Sequence, residues 1–171
     1  MRGWWWAAAV GVVLPLGLLL AAQLGALSGR PPADLGVREG RLKAPSDTPN
    51  SVSSQAGLYP GHPQAGYAAI EPLRLAGTPE QALARAARVL ATWPRLRVVT
   101  QAGTYLHAEH QTAWLRFTDD LELYAVPAEA AGQSLLHVRS ASRLGRRDFG
   151  VNRERVEALR QAVSSPASDR R

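Results

Sequence analysis

LRVVTQAGTYLHAEHQTAWLRFTDDLELYAVPAEAAGQSLLHVRS, residues 96–140, is the stretch whose reading decides the fold. It holds five short runs rich in Leu, Val, Tyr and Thr, at 96–101, 104–111, 114–118, 121–126 and 134–140. The breaks between them carry Gly103, Asp119 with Asp120, and Gly132, which suit tight reversals. Connections this short join only antiparallel neighbours, because a parallel crossover needs a dozen or more residues. The expectation is a curled antiparallel sheet.

Upstream lies the clearest helix. Thr78 is a good N-cap, Pro79 suits the first helical position, and Gln81 completes a capping-box pattern. Leu83, Ala86, Ala87, Leu90 and Trp93 recur at three- and four-residue spacing as one apolar stripe, and Pro94 stops the helix. Before it, the run from Tyr67 to Leu75 reads as a strand interrupted by Pro72, which implies an edge or a bulge. Downstream, Asn152 is expected to cap a last helix through about Ser164. Val156, Leu159 and Val163 would face inward, with Arg153, Arg155 and Arg160 outside. This order predicts an α+β fold: a curled antiparallel sheet of about five to six strands with two helices on one face.

Trp4 and Leu27 bound a run of 24 residues that is apolar except for Gln23. As a helix it would measure about 36 Å against a hydrocarbon core of about 30 Å, so a transmembrane helix is expected at 1–29. The tryptophans Trp4, Trp5 and Trp6 would sit at the headgroup boundary. The run exceeds the apolar core of an ordinary secretory signal, which favours a retained anchor over a cleaved one. Arg30, Arg38, Arg41 and Lys43 after the run argue for a cytoplasmic domain. The signal-like start with Arg2 argues the other way, and an extracytoplasmic domain is expected. Residues 28–66 are rich in Pro, Gly and Ser without sustained periodicity and read as irregular chain. The expected division is an anchor at 1–29, a linker at 30–45, one domain at 46–164 and a basic disordered tail at 165–171.

The 171 residues leave room for one ordinary domain after such an anchor. Cysteine is absent, which removes disulfides, thiolate metal sites, cysteine nucleophiles and lipoprotein attachment together. The formal charge is +6, and Lys43 is the single lysine beside nineteen arginines. Nine of those arginines fall between Arg139 and Arg171 against four acids, so that end should favour anionic surfaces. Nucleic acid is an unlikely partner, because no basic face interleaved with aromatics is visible.

Three constellations bear chemistry. Asp119, Asp120 and Glu122, with Glu109 nearby, have the oxygens for a hard cation or for acid–base work. Alternation places Asp120 and Glu122 on one strand face, and a solvated face is the expected reading. His107 and His110, three apart on one strand, should point to opposite sides, so with His137 and His62 they form no zinc site. Finally, Arg139 to Asn152 leaves a strand, turns at Gly145 and Gly150 and enters a helix. Its N–H groups, with forked donors from Arg139 and Arg143, could meet a phosphate or carboxylate. The structural reading gives the glycines positive φ, the Asp148 carboxylate a turn role and Asn152 a cap. No Walker loop, G-x-S-x-G, H-E-x-x-H or dinucleotide fingerprint is present.

Three motifs stand in order: Pro49-Asn50-Ser51-Val52-Ser53-Ser54-Gln55, the acidic Asp119-Asp120-Leu121-Glu122, and the arginine-serine run from Arg139 to Asp148-Phe149-Gly150-Val151-Asn152. Over residues 42–163 the chain resembles domain-of-unknown-function family 1499. The resemblance implies a small bacterial envelope or membrane-associated domain without an established activity, and it implies that residues 49–55 belong to the fold. Family members often carry cysteine where Ser51 stands, so it implies no thiol chemistry here. The candidate ligand-binding set is Asn50, Gln55, Asp120, Glu122, Arg139, Ser140, Arg143, Asp148 and Asn152. No catalytic residue, metal or cofactor is assigned. The expected function is a non-catalytic domain binding an anionic lipid or an envelope or peptide-like partner near a membrane. The alternative is a small-ligand or enzymatic site combining Asp120 and Glu122 with the arginines.

Overall fold

All six strands join one antiparallel sheet in a computed structural model that describes residues 3–165, of which 3–10 are described as backbone alone. The strands are β1 (Ser51–Ser53), β2 (Leu73–Ala76), β3 (Leu96–Ala102), β4 (Tyr105–Gln111), β5 (Thr118–Pro127) and β6 (Gln133–Ser142). Their order is β1-β6-β5-β4-β3, and β2 lies beside β1 along the same edge of β6. The helices are α1 (Gly3–Gln23), α2 (Ala65–Ala68), α3 (Pro79–Leu90) and α4 (Val151–Ser164). The chain is thus α+β, with α3 and α4 on one face of the sheet.

Pleating explains the core. Leu106, Ala108, Leu121, Leu123, Leu136 and Val138 alternate along β4, β5 and β6 onto one face and pack against Leu83, Ala86 and Leu90 of α3 and Val156, Leu159 and Val163 of α4. Each buried leucine contributes about 1.5–3 kcal/mol. The start of α3 is built as its sequence predicts. Thr78 accepts from Gln81 N, the Gln81 side chain returns to the Thr78 N–H, and Pro79 fills the first turn.

Two strand expectations change. Residues 113–117 form a turn and only Thr118 of the expected strand is in β5, because Thr112 and Phe117 close the turn through Thr112 N to Phe117 O and Phe117 N to Thr112 Oγ1, both at 3.0 Å. The expected strands at 114–118 and 121–126 therefore give way to the single long strand β5. Similarly, the run from Tyr67 to Leu75 divides into the end of α2 and β2, and the ladder begins only after Pro72, which has no N–H to donate.

Among the described residues, no helix is long and apolar enough to cross a membrane, so the expected transmembrane helix is not supported. Helix α1 ends at Gln23, short of Leu27. Its portion with described side chains, residues 11–23, extends only about 20 Å. The side chains of Trp4, Trp5 and Trp6, and the tail beyond 165, lie outside the described residues.

Residues 30–45, expected as a linker, cross the sheet face opposite α3 and α4 as irregular chain. Leu42 is buried there, with its N–H on Gln55 Oε1 at 2.7 Å. The Gln55 amide returns to Gly40 O at 3.0 Å. The segment is a strap held onto the sheet by Gln55.

Candidate functional site

Beneath the strap the sheet carries charge instead of hydrocarbon. Register places Glu109 opposite Asp120, His107 opposite Glu122, and Glu122 opposite Arg139. Expected as a solvated face, these side chains are sealed in: Asp120 is 1% exposed, Glu122 0% and Arg139 2%. Ionised groups persist in such a place only when paired and hydrogen-bonded, and they are. Glu122 Oε1 accepts from Gly36 N and from the Tyr105 hydroxyl, each at 2.9 Å, while Oε2 accepts from Arg139 Nη1 at 3.2 Å. Arg139 Nε donates to Ala44 O of the strap at 3.2 Å. Arg143 forks onto Asp120 and also donates to Glu109 Oε1 at 2.5 Å; Glu109 Oε2 accepts from exposed Arg97 at 2.8 Å. His107 Nε2 lies 2.8 Å from Asp120 Oδ1.

The electrostatics follow from that pairing. Burial by itself would raise the Asp120 carboxyl, but the bonds to His107 and Arg143 prevail and hold it below the usual carboxylate range. Glu109 is lowered in the same way, its burial outweighed by Arg143 and Arg97. Tyr105 is pushed far up by burial and by the negative Glu122, so it stays a protonated donor.

A second network surrounds the start of α4, on the other side of the sheet from Arg139. The helix begins at Val151 after Gly150, whose φ is 90°, so Asn152 is not the cap that its sequence suggests. Asp148 takes that role. Its Oδ1 accepts from Gly150 N at 3.1 Å and from the Tyr67 hydroxyl at 2.5 Å, and its Oδ2 accepts from Asn152 N at 3.3 Å and Nδ2 at 3.0 Å. Burial would raise Asp148, but these donors hold it below its ordinary value. Asn152 points inward and is fully buried, linking Asn50 O (3.0 Å), Ser140 Oγ (2.6 Å) and Arg155 Nη1 (2.7 Å). Asn50 Nδ2 binds Gly145 O at 2.7 Å. Among the described residues Asn50 Oδ1 is the buried side-chain acceptor without a partner.

Arg155, expected on the outer face of its helix, is instead drawn inward by Asp119, with Nη2 to Oδ2 at 2.5 Å. Sequence reasoning misses that pairing because apolar periodicity carries no information about charges that face inward. Its one sequence signal is a spacing of three residues from Asn152, the spacing of neighbours on a helix.

The candidate set is therefore divided. Asp120 with Arg143 and Glu122 with Arg139 form two ion pairs on one face of the sheet, Gln55 clips the strap over that face, and Asn50, Ser140, Asp148 and Asn152 form a network on the other. Asn50 and Arg139 do not converge on one pocket, because successive residues of β6 point to opposite faces. His107 and His110 divide between the faces as expected, His107 toward Asp120 and His110 toward Arg155. Outside the strap lies an open groove of about 480 Å³, bordered by Arg38, Arg41, Tyr59 and the Lys43–Asp34 ion pair. Among the described residues no group of three or more His, Asp or Glu side chains is placed to hold a metal ion.

A six-stranded antiparallel sheet with two helices on its apolar face and a strapped layer of ion pairs on the other defines a small α+β domain. This chain belongs to the family described as Protein of unknown function (DUF1499), which matches residues 41–163. No curated protein and no solved structure matches it.

Proposed function

We propose that this protein is a non-catalytic binding domain working at a membrane surface, held there by its apolar N-terminal segment and engaging an anionic partner through exposed arginines. One observation carries the reading: the acids and arginines that might have formed a reactive or ligand-binding centre are consumed by one another. Asp120 and Glu122 are neutralised by Arg143 and Arg139, and the start of α4 already holds the carboxylate of Asp148. An incoming phosphate would have to displace a buried, better-placed anion. Arg146 and Arg147 remain exposed in the loop before α4.

The tether rests on α1. Val12, Val13, Leu14, Leu16, Leu18 and Leu20 are all more than half exposed, so apolar side chains project around the helix with no protein to cover them. A helix apolar all round is covered either by protein or by lipid. An extracytoplasmic position belongs to the same reading, its support being the signal-like start with Arg2.

The test is fractionation of cells expressing the full chain. The intact protein should stay with membranes through an alkaline carbonate wash, and Leu16→Glu with Leu20→Glu should move it to the supernatant. Intact wild-type chain in the supernatant overturns the tether. The enzymatic alternative predicts that Asp120 or Glu122 binds a small ligand, which needs one of them to leave its arginine.

A further inference from the structure

We infer that the end of the sheet from which α1 departs is a docking surface for a bilayer bearing anionic headgroups, with Trp114, Leu144 and Phe149 entering the headgroup layer and Arg116, Arg146 and Arg147 meeting the phosphates. The inference deepens the proposed function and rests on it for the tether.

Two loops are brought together there. Residues 112–117 connect β4 to β5, and residues 143–150 connect β6 to α4; Asp119 pairs with Ser142, and Arg143 N donates to Thr118 O at 3.1 Å. Both loops therefore lie at one end of the sheet. The end of α1 and the segment after it are each fastened to the same end. Gln23 Nε2 donates to Trp114 O at 2.9 Å, and Arg116 Nη1 donates to Gln23 Oε1 at 3.4 Å. Further on, Gly29 runs so close to the second loop that a Cβ there would stand 2.8 Å from Arg143 Cβ and 3.2 Å from Leu144 Cγ. Whatever surface receives α1 is met next by this end of the domain.

The side chains displayed there are unusual for a water-facing loop. Phe149 is 91% exposed and Trp114 74%, and Leu144, in the same loop as Phe149, is exposed too. Phe149 holds φ at 53°, a left-handed conformation costly for a bulky residue. The backbone thus bears strain where the ring is turned outward, an arrangement associated with function. Aromatic rings with an apolar body favour the bilayer interface, and flanking arginines add attraction to anionic lipid. The apolar surface, the positive charge and the point where α1 leaves coincide at one end, which is the disposition a peripheral membrane contact needs.

The test uses the full chain, whose lack of cysteine permits single labels. Leu144→Cys and Phe149→Cys carry nitroxides, with Ala130→Cys in the exposed β5–β6 turn at the opposite end as control. The protein is reconstituted with vesicles of phosphatidylcholine plus phosphatidylglycerol, and with phosphatidylcholine alone. Accessibility to oxygen relative to a water-soluble nickel chelate is then measured. The expected result is a several-fold higher ratio at 144 and 149 than at 130 in the anionic vesicles, lost with Arg146→Glu and Arg147→Glu and reduced without phosphatidylglycerol. Ratios equal to the control, with the chain still pelleting with the vesicles, overturn the docking surface and leave the tether intact. Immersed labels on a chain that carbonate strips away sustain the docking surface and overturn the tether. A chain that does not bind these vesicles overturns both.

Discussion

Arg143 grips Asp120 with two nitrogens, Nε at 2.9 Å from Oδ2 and Nη2 at 2.6 Å from Oδ1, and both side chains are almost wholly out of water. A guanidinium fork fits a carboxylate in this way and an ammonium does not. Replacing Arg143 by Met leaves buried Asp120 without its guanidinium, while Glu109 keeps Arg97, and the expected loss of stability is roughly 3–5 kcal/mol by urea unfolding. Arg143→Lys should recover only part of this. Adding Asp120→Asn to Arg143→Met should recover some of it, because the stranded charge is gone. A loss below about 1 kcal/mol, the size of an exposed ion pair, would contradict the burial of this pair.

Stability should fall in two stages as pH drops. His110 and His137 are held below the ordinary histidine value by burial, so the folded state favours their neutral form, and protonating them opposes folding. That contribution is complete above the unfolded histidine value of about 6.5 and is lost as pH falls through the lower folded values. Asp120, Glu109 and Asp148 are likewise lowered. Their contribution is complete above the unfolded carboxylate values of about 4 and is lost as pH falls through their folded values. In denaturant midpoints measured across pH, His137→Gln should diminish the upper stage and Asp120→Asn the lower. A profile flat from neutrality to about pH 3 sinks both assignments.

Asn152 joins β6, the Pro49–Gln55 region and α4 through one amide. Asn152→Ala removes the acceptor of the Ser140 hydroxyl proton, an acceptor of Arg155 Nη1, and one donor each to Asn50 O and Asp148. With each buried hydrogen bond worth about 0.5–1.5 kcal/mol net and several lost together, a loss of at least about 2 kcal/mol is expected in thermal or chemical unfolding. An ordinary helix cap would cost about 1 kcal/mol, so the magnitude distinguishes a central tie from a cap.

Phe149→Gly separates membrane contact from folding. The ring buries almost nothing and the backbone at φ 53° suits glycine. Relief of strain and the added freedom of the unfolded chain work against each other, so stability should stay within about 0.5 kcal/mol of wild type. A loss above about 2 kcal/mol would show that Phe149 packs against the protein. Vesicle pelleting compares the variant's affinity for anionic lipid, expected to be weaker.

Helices α3 and α4 and the antiparallel pairing are legible in the sequence itself; the short α2 is not. Thr78, Pro79 and Gln81 form a local signal whose partners are three residues apart, so it survives in one dimension. The stripes Leu83, Ala86 and Leu90, and Val156, Leu159 and Val163, face the core because helical periodicity admits one arrangement. Short breaks require antiparallel strands, and alternation places His107 and His110 on different faces.

The site is legible only as a set of residues. The carboxylates of β5 are expected in water because polar alternation ordinarily marks an open face, and nothing local announces that residues 30–45 will return to cover it. Gly36 and Glu122 are 86 positions apart, as close to invisible in the sequence as a contact can be. Helical periodicity puts Arg155 outside for the same reason, since its partner Asp119 lies 36 positions away.

By itself, then, the sequence determined what period and spacing can carry: that α3 and α4 are helices, that the strands reverse, that the apolar side of the sheet takes those two helices, and that arginine is the cation at hand. Only tertiary structure decided which arginine meets which acid, that Asp148 replaces an external anion at α4, and that Trp114 and Phe149 share the end from which α1 leaves. Short-range periodicity fixes direction along an element. Charge neutralisation and strap closure depend on distances between elements, which are set only when the chain has collapsed.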